Sequence, residues 1–233
     1  MDLTLARRAL SLGPTRVAQA LFRRSLSAFA QKSPPPPLDG FDAAHQVQTS
    51  GFVGWEALKS GRSSDACNAG YLPVDEAILC EALAHIPEPS RFTFLDLGCG
   101  KGRALLVASR LPFQKILGVE ISPTLAAIAG ENARAGARPI EVHEGDAAEF
   151  PIPSGPFVIF MYHPFEAPVM RKVVQNITAA LTVAPRSAYV IYVNPKLRAL
   201  FDIEPILLSL HSASGEYAVW AANTVEAALQ KPA

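Results

Sequence analysis

Phe92 to Arg110 reads FTFLDLGCGKGRALLVASR, and this stretch decides the fold. An apolar run, Phe92-Thr93-Phe94-Leu95, ends in Asp96. Gly98, Gly100 and Gly102 then alternate with Cys99 and Lys101, and Ala104 to Ala108 continue as a helix. Strand, glycine turn and helix in that order place a nucleotide-type ligand at a helix N-terminus. Glycine lets backbone approach a ligand with no Cβ between them. A dinucleotide fingerprint is G-x-G-x-x-G/A. Counted from Gly98, that pattern puts Arg103 at the third small position. The glycines fall instead as G-x-G-x-G behind Asp96-Leu97.

Outward from this stretch, strands and helices alternate as a parallel sheet requires. The pattern predicts strands at 92–97, 115–120, 140–143, 157–162, 187–193, 203–210 and 216–222. It predicts helices at about 101–110, 122–135, 166–182 and 196–200. Ser122-Pro123 gives a cap and then a proline at the first helical position. The last two strands read as a hairpin through Ser214-Gly215, adding an antiparallel element. Upstream, 75–84 reads as a helix entered through Tyr71-Leu72-Pro73, and 38–70 as loops with short helices.

The chain has 233 residues, is 49% hydrophobic and carries a formal net charge of zero. That suits one α/β domain with a real core and argues against nucleic acid as a partner. Residues 1–40 hold six basic residues against Asp2 and Asp39. There Ala18, Phe22, Leu26 and Phe29 share one helical face. An Arg-rich, acid-poor helix suits a membrane surface or a transit address; a loosely packed appendage is the plainer reading. Ser33-Pro34-Pro35-Pro36-Pro37 reads as a stiff linker. The expected organisation is a basic helical extension (1–32), a Pro-rich linker (33–38), a cap or entry region (39–90), the α/β domain (91–223) and a tail (224–233). Cys67, Cys80 and Cys99 form neither a disulfide framework nor a CxxC pair, so no metal is expected and the compartment is read as cytoplasmic. A mitochondrial address or the periphery of an inner membrane are the alternatives for the basic start.

Three strand ends carry the candidate chemistry. Glu120 closes the second strand 18 residues beyond Gly102, where an acid accepts ribose hydroxyls. Asp146, in Gly145-Asp146-Ala147, stands after the third, where a carboxylate can accept the adenine amino proton. Met161-Tyr162-His163-Pro164-Phe165 closes the fourth and faces the reacting group. His163 can take a proton or orient a nucleophile near neutral pH, and Tyr162 can line the same pocket. Pro164 and Phe165 are the candidate acceptor contacts. Lys101 and Arg103 read equally as anion contacts or solvated helix surface. Cys99 has no base beside it and reads as a tolerated small residue.

The D-L-G-x-G-x-G form resembles motif I of the class I S-adenosylmethionine (SAM) methyltransferases. From about Phe41 to Trp220 the chain is similar to a bacterial group of these enzymes without an assigned substrate. The wording that carries this is GFDAAHQVQTSG, Tyr71-x-Pro73, FTFLDLGCGKGRALLVASRLPF, GVEISP, GDAAEFPIP, MYHPF and YVIYVNP. The Tyr-x-Pro element and the fourth-strand loop also resemble the lysine methyltransferases of the ATP synthase c subunit. The resemblance implies a Rossmann-like, seven-stranded, mostly parallel sheet with SAM as cofactor. It implies a methionine cradle at Gly98, Gly100 and Gly102, Asp96 orienting that loop or the methionine ammonium, and Tyr71 near the cofactor. The implied activity is methyl transfer to an unidentified acceptor, a protein or small-molecule amine among the candidates. The chain departs from the group at Val74 (Thr or Ser), Cys99 (Ser) and His163 (Asn). Two rival readings stand: a NAD-dependent oxidoreductase, and a SAM-binding module without turnover.

Overall fold

The computed structural model describes residues 39–62, 65–211 and 215–222. The expectations for 1–32, 33–38 and 224–233 lie outside them. In chain order the elements are α1 (Gly40–His45), α2 (Glu76–Leu83), β1 (Thr93–Leu97), α3 (Arg103–Ala108), β2 (Lys115–Glu120), α4 (Pro123–Asn132) and β3 (Glu141–Glu144). Then follow β4 (Phe157–Tyr162), α5 (Ala167–Val183), β5 (Ala188–Val193), α6 (Ala199–Asp202), β6 (Leu207–His211) and β7 (Tyr217–Ala222).

One seven-stranded sheet runs in the order β3-β2-β1-β4-β5-β7-β6. β3, β2, β1, β4 and β5 are parallel. β7 is antiparallel to both β5 and β6, the hairpin expected from the sequence. The chain thus folds as the α/β, mostly parallel sheet that its strand spacing predicts, Rossmann-like as the resemblance implies. The strand order reverses between β1 and β4, so ligands are expected off the carboxyl ends there.

β1, most of β4 and all of β7 are buried, which is why they read as apolar runs rather than alternations. On one face Phe94, Phe160, Ile191 and Val219 pack with Leu79 and Leu83 of α2 and Leu105 and Leu106 of α3. On the other, Leu95, Ile159, Tyr192 and Trp220 pack with Met170, Val173 and Ile177 of α5.

Local signals set the element ends. Ser122 caps α4 by accepting from Leu125 N–H, ahead of Pro123. Asp75 caps α2 by accepting from Ala77 and Ile78 N–H. The run predicted as strand from 203 begins only at Leu207. Pro205 has no N–H to give a ladder, and the preceding residues form α6, which starts at Ala199 rather than 196. Trp220 Nε1 donates to Asp202 at 3.0 Å and so ties α6 to β7. Among the described residues no helix is long and apolar enough to cross a membrane.

Candidate functional site

A cavity of about 270 Å³ opens off the carboxyl ends of β1, β2 and β4, lined by residues from the glycine loop, the loops after β3, β4 and β5, and 52–74. Tyr71, Asp96, Gly98, Gly100, Glu120, Asp146, Tyr162, His163, Pro164 and Phe165 all border it; Gly102 caps α3 behind it. These are residues singled out from the sequence, scattered over almost a hundred positions.

The glycine loop hangs from β2. Gly98 and Cys99 N–H donate to Val119 O at 2.9 and 3.0 Å. Gly100 N–H donates to Glu120 Oε2 at 2.9 Å, and Ser122 N–H to Glu120 Oε1 at 2.8 Å. Burial pushes the Glu120 carboxyl upward, and these N–H groups pull against it. Asp96 is 2% exposed, and nothing hydrogen-bonds its carboxyl among the described residues. Burial, with Glu120 nearby, pushes it far above the carboxylate range. Asp146 Oδ1 accepts from Ala148 N–H at 2.9 Å and so turns the chain after β3.

Two of the glycines make room for protein atoms. A Cβ on Gly98 would lie 2.5 Å from Pro164 Cβ, and one on Gly100 would lie 2.2 Å from the Tyr71 ring. Both have positive φ, +85° and +55°, which disfavours any side chain there. The glycine loop is therefore clamped between the loop after β4 and the 52–74 segment.

That segment is fastened in ways sequence reasoning missed. Arg103, 7% exposed, donates from Nε to Thr49 Oγ1 at 2.7 Å and pairs with Asp39 and Asp42. The buried Asp42 carboxylate also accepts from Thr49 N–H at 2.8 Å, from Ser50 N–H at 2.7 Å and from Thr49 Oγ1. Lys101 Nζ donates to Ser50 O at 2.6 Å and lies over the Tyr71 ring. The Tyr71 hydroxyl donates to Thr49 O, and burial pushes its pKa upward. Asn132 holds Gln48 in both directions and donates to Lys101 O. The signal is GFDAAHQVQTSG, where Asp42, which pairs with Arg103, and Thr49, which accepts from it, stand seven residues apart. Lys101 and Arg103 are thus neither free anion contacts nor solvated surface.

At the β4 end, His163 has φ +35° and is 8% exposed. Its Nδ1 lies 2.6 Å from the Tyr192 hydroxyl. Burial and the Lys196 cation push His163 below the ordinary imidazole range, while Glu166 acts the other way. Tyr162 is part-buried and burial raises its pKa, with Asp75 adding to this. Asn68 bridges Phe165, and Ala69 N–H donates to Pro164 O at 2.9 Å. Cys99 is held protonated by burial beside Asp96 and Glu120, as a non-nucleophilic thiol would be. No cluster of metal-ligating side chains occurs among the described residues.

Residues 94–183 match the family model for a methyltransferase domain. That span runs from Phe94 in β1 to the end of α5 and holds every strand-end carboxylate of the site. Over 62 residues the chain is 44% identical to the release factor glutamine methyltransferase of Caulobacter vibrioides. The match covers 26% of this chain and only 22% of that protein. Among solved structures, the chain is similar to an RNA methyltransferase from Salinibacter ruber in complex with S-adenosyl-L-homocysteine, at 18% identity and a TM-score of 0.44. That likeness covers 65% of this chain and 92% of the other. A predicted N6-adenine-specific DNA methylase from Listeria monocytogenes is similar at 15% identity and a TM-score of 0.49, over 64% of this chain and 51% of the other.

Proposed function

We propose that the chain is a SAM-dependent methyltransferase. One observation carries this: Asp96, a buried carboxyl with no hydrogen-bond partner among the described residues, borders a cavity beside a glycine loop. Such a group calls for a cation or donor from a ligand, and the methionine ammonium is one. The family match over 94–183 supports the same reading.

The residues fit the cofactor. Each Glu120 oxygen holds one backbone N–H and keeps a further lone pair for a ribose hydroxyl. Asp146 borders the cavity after β3 and suits the adenine amino group. Gly98 and Gly100, clamped by Pro164 and Tyr71, would carry the methionine part. SAM supplies a methyl group already activated by its sulfonium sulfur. What remains for the chain is to hold the acceptor in line and exclude water. Residues 39–90 serve as the cap that does the excluding.

The NAD reading is disfavoured by Arg103, a buried ion-paired side chain at the third small position of that fingerprint. The three free cysteines support a reducing, cytoplasmic setting. For the acceptor, the likeness to bacterial methyltransferases and to the c-subunit lysine enzymes offers a protein or small-molecule amine. The side chains around His163 favour another class. Calorimetric titration with S-adenosylhomocysteine, with NAD as control, tests the reading. Binding of the homocysteine compound alone, lost in Asp96→Asn, is expected. A folded protein that ignores it would end the proposal.

A further inference from the structure

The β4–β5 side of the cavity differs in chemistry from the β1–β3 side. Asp96, Glu120 and Asp146 lie at β1–β3; Asn68, Tyr162, His163, Asn194 and Lys196 line the rest. Two side chains there, Asn68 and His163, have a nitrogen with no partner among the described residues.

The first is Asn68. Its Nδ2 is sealed from solvent and makes no hydrogen bond. An unmet buried donor costs about 1–3 kcal/mol, so a native one calls for an acceptor from outside the chain. The bridge to Phe165 holds Asn68 against the same loop that carries His163.

The second is His163. The Tyr192 hydroxyl lies 2.6 Å from His163 Nδ1. With that hydroxyl as donor, Nδ1 is the acceptor, and in the neutral ring the proton sits on Nε2. Burial and Lys196 keep the ring neutral against Glu166. The imidazole borders the cavity, and Nε2 has no hydrogen-bond partner among the described residues. With Nδ1 occupied and Nε2 protonated, His163 is a donor and not a general base. Lys196 adds a cation at the exposed rim.

Donors with no free base suit a nucleophile that is already deprotonated and anionic. An ammonium would meet the Lys196 cation at the rim. Resting on the methyltransferase reading above, we propose that the acceptor is a carboxylate, held by Asn68 Nδ2 and His163 Nε2, with Tyr192 as the positioning residue that fixes the His163 tautomer. One carboxylate oxygen takes the two donors. The other gives the electron pair of a new O–CH3 bond, the S–CH3 pair returns to sulfur, and no proton moves. The products are a methyl ester and S-adenosylhomocysteine.

The test uses the full chain, isotope-labelled at the histidine ring nitrogens and saturated with S-adenosylhomocysteine. Nitrogen–proton correlation spectra report the ring state, and His163→Gln identifies the signal. A neutral ring protonated on Nε2 is expected, changing in Tyr192→Phe. A ring protonated on Nδ1, or a charged ring, at neutral pH overturns the proposal. In cell extract, methyl-tritiated SAM should give label that base releases as volatile methanol, as an ester does. Asn68→Asp should cut that label about tenfold or more, with affinity for S-adenosylhomocysteine unchanged. Base-stable label, in amine or nucleic acid, overturns the carboxylate acceptor and leaves methyl transfer standing. Failure of the protein to bind S-adenosylhomocysteine is a failure of the earlier reading and shows in the first step.

Discussion

Arg103 and Asp42 form a buried ion pair that fastens residues 39–50 to the helix behind the glycine loop. The pair spans 61 residues of chain, and Thr49 is shared between its partners. Breaking a buried pair by removing one member costs about 3–5 kcal/mol. Asp42→Ala should lose that much in denaturant unfolding, with an unchanged denaturant slope. Burial would raise the Asp42 pKa, but the hydrogen bonds from Thr49 and Ser50 outweigh it and hold it low. The contribution is therefore full above the unfolded carboxylate pKa of about 3.9 and fades as pH falls below it. A stability–pH curve for the variant should converge on wild type in acid.

Asp96 works in the other direction. Its folded pKa lies above the unfolded value, so the folded state holds the proton longer and stability falls as pH rises between the two. Asp96→Asn removes that penalty. Without ligand the variant should melt above wild type at neutral pH and level with it at about pH 3, below the unfolded carboxylate pKa. Its gain from S-adenosylhomocysteine should vanish. A variant that melts lower at neutral pH while still binding would contradict the role given to Asp96.

Gly100→Ala sets a Cβ into the Tyr71 ring from a left-handed backbone. The conformational part costs about 1–2 kcal/mol. Tyr71 must also move, and it carries the bond to Thr49 O and the contact with Lys101. Affinity for S-adenosylhomocysteine should drop at least tenfold, about 1.4 kcal/mol, as calorimetry would read it. Gly130→Ala, on α4 with open space around it, is the control and should bind normally.

Glu120→Gln replaces a carboxylate whose two oxygens each take a backbone N–H. The amide offers one oxygen, so an N–H of Gly100 or Ser122 is left facing an NH2 group. About 1–3 kcal/mol of stability should go, offset in part at neutral pH because burial penalises the native charge. Asn132→Ala should loosen Gln48 and Lys101 together, seen as faster amide exchange at Gln48.

The sheet was legible because its strands are local apolar runs and its helix caps are local signals, as at Ser122. The strand ends also betrayed the carboxylates, since Asp96, Glu120 and Asp146 each sit at a fixed place in the alternation. What stayed hidden depends on pairing across the chain. Arg103 looks solvated until Asp39 and Asp42 are placed beside it, and helix periodicity says nothing of partners 60 positions upstream. The Tyr192 contact to His163 joins two neighbouring strands' ends, and in the sequence Tyr192 is one more apolar-run tyrosine. Gly98 and Gly100 also leave room on their Cβ sides for Pro164 and Tyr71, contacts from distant segments that the local pattern does not announce.

β7 lies between β5 and β6, although it is the last described strand to be synthesised. On a ribosome the nascent sheet would expose the long buried edge of β5 until Ala222 had emerged. Completion of the sheet then waits on its last described strand. A stalled or shortened chain would present that edge to any strand nearby.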